Sequence, residues 1–486
     1  MKNISLVLFI LSGVLMSGCR IYSTYERPGN LPVDSLYRDV SADSVASADT
    51  TSLGDMPWQQ FFQDEHLREL ISYGLSNNTD MLTALLRVDQ AEAQLKAAKL
   101  AFLPSLTLSP QGSLSSVDGG KPAKTYELPI EASWEVDLFG SLRNAKKSSQ
   151  ATLLQQKAYQ QAVRSKLIAM IAIDYYALLS IDSQIEISLS TLNVWREQVR
   201  TIEALLKVGE ENENALTQAR AGLYELEASY NDLLRQQREA ENALCTLIGT
   251  TSRRIERGTL DGQRMPDSLS AGLSLRLLSR RPDVVQAEMT LAAAYYSTNQ
   301  ARSAFYPSLT LSGSAGWTNS AGQIVSDPGS WIFSALASLT QPIFNRGKLV
   351  SNLRVAKDEE QIALLCYKQA LLDAGQEVNN YLYAAESAQR SLDSHSKQCA
   401  ELERTVKTSD ALYRTGNATY IELLSARQEL LNARLSVVSD IYSRCEAIVN
   451  LYSALGVDCL WARSGAGRCK KLSDWHRFGC ESAWRL

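Results

Sequence analysis

The chain has 486 residues, with 49 Lys+Arg against 53 Asp+Glu and a formal net charge of −4. Gly 26 and Pro 12 are few for this length, hydrophobic residues make up 45%, and mean hydropathy is −0.17. These values exclude collagen-like, mucin-like and disordered chains and a bundle of apolar transmembrane helices, and without a basic excess nothing points to nucleic acid. Three histidines (His66, His395, His476) leave little room for metal or acid–base chemistry.

Residues 1–19 read MKNISLVLFILSGVLMSGC. Lys2 precedes an apolar run from Ile4 to Met16, too short to cross a bilayer, which takes about 20 residues. The small Ser17 and Gly18 before Cys19 predict a lipoprotein signal over 1–18, cleaved so that Cys19 carries acyl chains on its sulfur and its new amine. Two or more chains anchor stably where one does not. The bland alternative is an ordinary signal peptide with a chance cysteine. Cleavage removes Lys2 and leaves a net charge of −5. A lipidated extension over 19–64 follows. The other cysteines (Cys245, Cys366, Cys399, Cys445, Cys459, Cys469, Cys480) are odd in number, and the first four sit singly in helical patterns. They are read as buried small apolar residues rather than a disulfide framework.

The chain is written twice. Phe102-Leu103-Pro104-Ser105-Leu106-Thr107-Leu108-Ser109 recurs as Phe305-Tyr306-Pro307-Ser308-Leu309-Thr310-Leu311-Ser312, an offset of 203. Further on, Ala219-Arg220 matches Ala426-Arg427 at an offset of 207. Residues 65–249 and 273–456 are therefore two copies of one unit, joined by a polar linker over 250–272.

Each copy predicts a strand pair (104–138 and 307–344) followed by a helical hairpin (141–249 and 346–456). From Tyr126 to Leu138, Tyr126, Leu128, Ile130, Ala132, Trp134, Val136 and Leu138 alternate with Glu127, Pro129, Glu131, Ser133, Glu135 and Asp137. That is a strand with one apolar and one acidic face; the pattern fits a soluble hairpin packed on a core, and with Trp and Tyr near its ends it also suits a membrane barrel. The return strand of the second copy carries Trp331, Phe333, Ala335, Ala337, Leu339 and Ile343 on one side. The helices show heptads. One seam runs Ile185, Ser188, Leu192, Trp195, Val199, Ile202, Leu206; another runs from Val378 through His395 and Cys399 to Tyr413. His395 is read as a packed seam residue rather than a ligand. Gly209 and Gly416 break helices roughly 100 Å long.

A lone hairpin of that length buries too little apolar surface, and four strands leave open edges that lipid does not tolerate. The fold class is thus mainly α with membrane β. Three internally duplicated protomers, each with four β-strands and two coiled-coil hairpins, would supply twelve strands, within the range of membrane β-barrels.

With these features the chain resembles the TolC-like outer-membrane factors, in the lipoprotein branch of the outer-membrane efflux proteins. The resemblance covers about residues 58–456. It rests on Trp58-Gln59-Gln60-Phe61-Phe62-Gln63-Asp64, Arg280-Arg281-Pro282-Asp283 with Ala287-Glu288, Phe305-Tyr306-Pro307-Ser308-Leu309, and Tyr413-Arg414-Thr415-Gly416 followed by Glu422-Leu423-Leu424. It implies a homotrimeric, lipid-anchored exit duct in the outer membrane of a Gram-negative bacterium, with a twelve-stranded β-barrel in the membrane and a twelve-helix α-barrel extending into the periplasm. The implied partners are a periplasmic adaptor and an inner-membrane transporter of the resistance-nodulation-division type. It implies no enzyme activity, no cofactor and no metal, and the residues offer no Ser/His/Asp set or phosphate-cradling loop.

The resemblance places Glu422 at a periplasmic aperture, where the family's second acid is here Ser425. It puts the tips at Gly209 and Gly416, beside Asn212 and Asn417, against the adaptor. The strand alternation makes Glu127, Glu131, Glu135 and Asp137 a cation-preferring lumen face. Two rival classes fit less well. A periplasmic adaptor carries one hairpin between β-rich halves, and this chain has two; a structural coiled-coil lipoprotein needs no amphipathic strands. The tail, 457–486, has neither heptad nor alternation and reads as an unpacked, non-native extension. Its Cys459, Cys469, His476 and Cys480 match no standard zinc spacing.

Overall fold

The computed structural model describes residues 22–29, 56–116, 123–263, 265, 281–319 and 330–456. The signal 1–18, Cys19, nearly all of 264–280 and the tail with its Cys/His group lie outside the described residues. Among the described residues, helices and strands follow in chain order. They are α1 (Trp58–Phe61), α2 (Glu65–Asn77), α3 (Thr79–Leu100), β1 (Ser105–Leu108), β2 (Gln111–Ser115), β3 (Ala123–Val136), α4 (Ser141–Lys207), α5 (Glu213–Leu247), α6 (Pro282–Ser303), β4 (Ser308–Asn319), β5 (Ser330–Thr340), α7 (Lys348–Arg414) and α8 (Tyr420–Ala454).

The duplication is visible element by element. The helices α4 and α7 each have 67 residues, α5 and α8 each 35, and α3 and α6 each 22. Their ends are built alike. Gly209 and Gly416 take positive φ, where only glycine is comfortable, and complete paired closing bonds. Gly209 N–H donates to Leu206 O at 3.1 Å and Glu210 N–H to Leu205 O at 3.0 Å; Gly416 and Asn417 repeat this on Tyr413 and Leu412. The return helices start on Asn212, which accepts from Ala215 N–H, and on Thr419.

At the far end, Asn78 Nδ2 donates to Leu247 O at 2.8 Å, and its counterpart Arg281 donates to Ala454 O at 3.0 Å. Arg281 also holds Asp283 and Glu377, so its motif ties α6 to α7 and to the end of α8. One ion pair is repeated with its charges exchanged: Arg196–Glu227 in the first hairpin becomes Glu403–Arg434 in the second.

The strands form one antiparallel sheet, in the order β1/β2, β3, β4, β5. β1 and β2 pair β3 in a single register, so they are one strand interrupted at Ser109-Pro110. Pro110 has no N–H to give, and Pro129 opposite Ser109 has none either. Between the two copies, β3 pairs β4 from Tyr126↔Asn319 to Val136↔Leu309, which fuses the two strand pairs into four neighbouring strands. Gly316 lies against the backbone of Leu128 and Pro129 so closely that an added Cβ would overlap it. β5 stops at Thr340, before Pro342, so Ile343 lies beyond the sheet and not on its face.

The main core gathers α1, α2, the middle of α4, α6 and the far ends of α5 and α8, with Tyr175, Tyr296, Leu178 and Ile171 fully buried. A second core near the tips joins Leu192, Trp195, Val199 and Ile202 to Leu216, Leu223, Tyr420 and Leu431. Gly222 leaves the room that the Trp195 ring occupies.

Several expectations need correction. The linker is packed where it is described: Ile255 and Leu260 are buried, and Arg257 is clamped between Asp182 of α4 and Glu241 of α5. Asp64 caps α2 and accepts from Tyr175 and Gln263; burial pushes its carboxyl up, but these hydrogen bonds outweigh it and hold the group below its ordinary value. Among the cysteines, Cys245 and Cys445 are buried, Cys366 is exposed and Cys399 half-buried. The seam of α7 leaves His395 partly exposed, and its Nδ1 lies 2.6 Å from Asp440 Oδ2, so a polar partner rather than packing holds it.

Because Arg257 is nearly buried and serves two carboxylates, Arg257→Ala should destabilise this region by about 3 kcal/mol. A lowered urea midpoint of the detergent-solubilised protein checks this.

Candidate functional site

The sheet supplies the first part of the site. Cross-strand partners share a face, so the register sorts the side chains without ambiguity. One face carries Leu106, Leu108, Leu128, Ile130, Trp134, Leu309, Leu311, Trp317, Trp331, Phe333 and Leu339. It is exposed in the protomer: Leu106 is 73% and Phe333 74% accessible. Trp134 lies near one end of β3 and Tyr126 toward the other, about 27 Å apart along an extended strand. That matches the apolar band of an outer-membrane barrel, flanked by aromatic residues. Trp317 packs on Trp331 with ring centres 4.6 Å apart, beside Tyr126's end of β3.

The opposite face is polar. Glu127 pairs Thr318, Glu131 lies between Thr107 and Ser314, and Glu135 pairs Thr310. The structure therefore brings three of the four predicted acids onto one face. Asp137 departs from them, because β3 ends at Val136. Its carboxylate accepts from the N–H groups of Leu142 and Arg143 and pairs with the Arg143 side chain at 3.1 Å. It serves the start of α4, whose free N–H groups favour an anion.

The second part is the tip, where hairpin two is fastened to hairpin one. Tyr413 Oη, at the end of α7, donates to Glu211 Oε1 in the α4–α5 turn at 2.6 Å. Burial and this carboxylate both push the Tyr413 phenol above its ordinary pKa. Arg427 of α8 reaches Gln198 of α4 and pairs with Asp410 of α7 at 3.1 Å. Burial lowers the Arg427 pKa against the opposing pull of Asp410.

Glu422 lies in the first turn of α8 and forms a reciprocal cap. Its Oε2 accepts from Thr419 N–H at 3.0 Å, and Thr419 Oγ1 accepts from Glu422 N–H at 3.4 Å. Glu422 is exposed. A Cβ added at Gly209 or Gly416 would meet nothing within 4 Å, so both turns stand open to a partner.

Sequence reasoning missed Glu211, Gln198 and Asp410. The signal was the mismatch between copies. Arg220–Glu203 in hairpin one is the counterpart of Arg427–Asp410, whereas Tyr413 replaces Leu206 and Glu211 has only Ala418 opposite it.

The third part is an N-terminal strap, Tyr22–Gly29, lying along α6. The Tyr22 ring sits beside Gly140, at the junction of sheet and α4. Ser23 Oγ is 2.5 Å from Tyr295 Oη, Tyr25 stacks edge-on against Tyr295, and Arg27 grips the buried Glu288 with two nitrogens. The strap thus runs away from the sheet along α6. Among the described residues no helix is long and apolar enough to cross a membrane, and no group of three or more His, Cys, Asp or Glu is placed to hold a metal ion.

A one-faced apolar sheet on top of a duplicated helical hairpin defines a channel-forming protomer. The family model described as "Outer membrane efflux protein" matches residues 70–250 and 273–457, and the chain belongs to that family. It is 30% identical over 447 residues to the cation efflux system protein CusC of Escherichia coli, covering 91% of this chain and 96% of that one. The toluene efflux pump outer membrane protein TtgC of Pseudomonas putida is 27% identical over 468 residues, covering 93% and 95%. Among solved structures, the open-state MtrE outer membrane channel of Neisseria gonorrhoeae superposes with TM-score 0.79 at 28% identity, covering 90% of this chain and 98% of that one. The chain is an outer-membrane efflux channel of the tripartite type and not an enzyme.

Proposed function

We propose that three copies close into one duct, with a β-barrel in the outer membrane and the paired hairpins extending through the periplasm. The observation that carries this reading is the pairing of an exposed apolar face with a polar inner face, on a sheet whose two outer strands have one unpaired edge each among the described residues. Four neighbouring strands per copy make twelve, within the range of membrane barrels, and closure removes the edges. Tyr22, where the described strap begins, lies beside Gly140 at the junction of sheet and α4, which supports a lipid anchor in the periplasmic leaflet on Cys19, three residues upstream in the sequence. The open turns at Gly209 and Gly416 suit docking to a periplasmic adaptor, with an inner-membrane transporter of the resistance-nodulation-division type supplying energy.

Transport through the duct is passive. Relatives are named for cations and for toluene, so cargo choice lies with the pump rather than with this wall. Planar-bilayer recording on the detergent-extracted oligomer tests the duct: discrete conductance steps are expected, and silence in every tip-opened variant overturns it. Cysteine crosslinking at Asn212 and Asn417 to a co-expressed adaptor tests the docking surface, and the absence of any adduct at both positions counts against it.

Glu127, Glu131 and Glu135, tripled by closure, give the barrel lumen a cation preference. Replacing all three with Gln should move the reversal potential in a salt gradient toward zero selectivity. A reversal potential showing anion preference in the unaltered protein contradicts the assignment.

A further inference from the structure

Between the N-terminal strap, α6 and α7 lies a cavity of about 370 Å3 that conduction through the duct does not use. Its apolar wall is made by Leu291 and Tyr295 of α6 and Leu364 of α7. Its charged groups are two carboxylates, Glu26 on the strap and Glu360 on α7, and among the described residues no Lys, Arg or His lines it. Glu26 is exposed and Glu360 half-buried.

The strap itself explains why these carboxylates stay uncompensated. Arg27, the residue after Glu26, turns instead to the buried Glu288 and gives it two nitrogens. Lys357 precedes Glu360 by three residues on the same side of α7, yet forms no pair with it. Among the described residues neither Glu26 nor Glu360 makes a hydrogen bond or an ion pair. Tyr25, only 7% accessible, also lines the cavity, and its hydroxyl is a buried polar atom without a partner. Buried polar atoms are met almost everywhere in folded proteins, so an unmet one beside a cavity marks room for a further group.

Two carboxylates without a cation give the cavity a negative potential, which selects a cationic ligand. The walls select its kind. A divalent metal ion needs about six oxygen ligands, and Leu291, Leu364 and the Tyr295 ring supply none. A primary ammonium on an alkyl stem suits both features. Its N–H groups donate to carboxylates in charge-assisted hydrogen bonds, an aromatic face attracts it, and its methylenes lie against the leucines. Depth then favours a soluble amine over a lipid headgroup. Helix α6 ends toward the sheet at Ser303, so Tyr295 and Leu291 stand about 12 and 18 Å back along it. The headgroup layer on one side of a bilayer is only about 5–8 Å thick. We propose that this cavity binds a small alkyl diamine, with one ammonium on Glu26 and the other on Glu360. The bound dication bridges the strap to α7 and fastens the N-terminal segment to the second copy.

The test is calorimetric titration and thermal unfolding of the full-length, detergent-solubilised protein with 1,4-diaminobutane and 1,5-diaminopentane at constant ionic strength. Saturable binding and a raised unfolding temperature are expected. Glu26→Gln combined with Glu360→Gln should weaken that binding at least tenfold while circular dichroism and single-channel conductance stay unaltered. The lumen acids also attract diamines, so the informative component is the one this double variant loses; Glu127→Gln, Glu131→Gln and Glu135→Gln together should keep it. Equal binding by the double variant, or equal stabilisation by magnesium chloride, overturns the proposal. The titration is repeated in nanodiscs of phosphatidylethanolamine and of phosphatidylcholine. Equal diamine binding in both supports a soluble ligand. Binding lost only in the ethanolamine lipid shows that a headgroup ammonium fills the cavity and overturns the diamine assignment.

Discussion

A channel carrying Tyr413→Phe together with Arg427→Ala should conduct several-fold more current in planar bilayers than the unaltered protein. Each change removes one fastening of hairpin two to hairpin one. Tyr413→Phe deletes the hydroxyl that donates to Glu211, leaving the ring and its contact with Tyr420 in place. Arg427→Ala deletes the reach to Gln198 and the pair with Asp410. Both bonds lie at the free end of long helices, where a small angular change becomes a large displacement. The opposite end is held by Arg281, the Asp64–Tyr175 bond and the main core, so the hinge stays intact. The hydrogen bond between Tyr413 and a carboxylate is worth about 1.5–3 kcal/mol, and breaking two fastenings at once frees the hairpin tips to splay apart. Single substitutions should give intermediate conductance, since the two bonds tie different helices of hairpin two. Unchanged current in the double variant, with the trimer intact, shows that the tip contacts do not restrict the passage.

The sequence carries what is periodic or repeated. The alternation from Tyr126 to Val136 exposes the two faces of β3, because each residue on a strand reports its own side. The heptads from Leu192 to Ile202 mark a seam that is buried throughout. Hidden are features that depend on partners distant in sequence. The β3–β4 pairing fuses the two copies, but nothing local to either strand names the other. Asp137 continues the acidic alternation in the sequence; helix α4 begins four residues later and takes the carboxylate for its own first turn. His395 falls on a heptad position, yet its partner Asp440 lies on α8, and no seam pattern reveals a polar contact between hairpin arms. Arg257 stands in a stretch that reads as polar linker, because a buried guanidinium and an exposed one look alike until Asp182 and Glu241 are seen beside it.

Glu422 caps α8, and a matched pair of variants separates that role from the one proposed for it at the aperture. Its carboxylate closes the reciprocal cap of α8, and in a closed trimer three copies would face a common axis. Glu422→Gln keeps an oxygen that can accept from Thr419 N–H but removes the charge; Glu422→Ala removes both. If the ring of acids shapes permeation, cation selectivity and divalent block should fall to the same extent in the two variants. Stability should divide them. Glu422→Ala should lose about 0.5–1 kcal/mol of helix-end stabilisation, while Glu422→Gln should retain most of it. The cap also constrains the chemistry of the ring. One carboxylate oxygen is held by the backbone, so the acids are presented in a fixed orientation rather than on freely rotating stems. Cation attraction at the aperture is then a property of the folded first turn of α8, and Thr419→Val, which breaks the cap without altering any charge, should weaken block by loosening that orientation. Selectivity unchanged in Glu422→Gln, alongside reduced stability in Glu422→Ala, would reduce the residue to a helix cap at an otherwise uncharged opening.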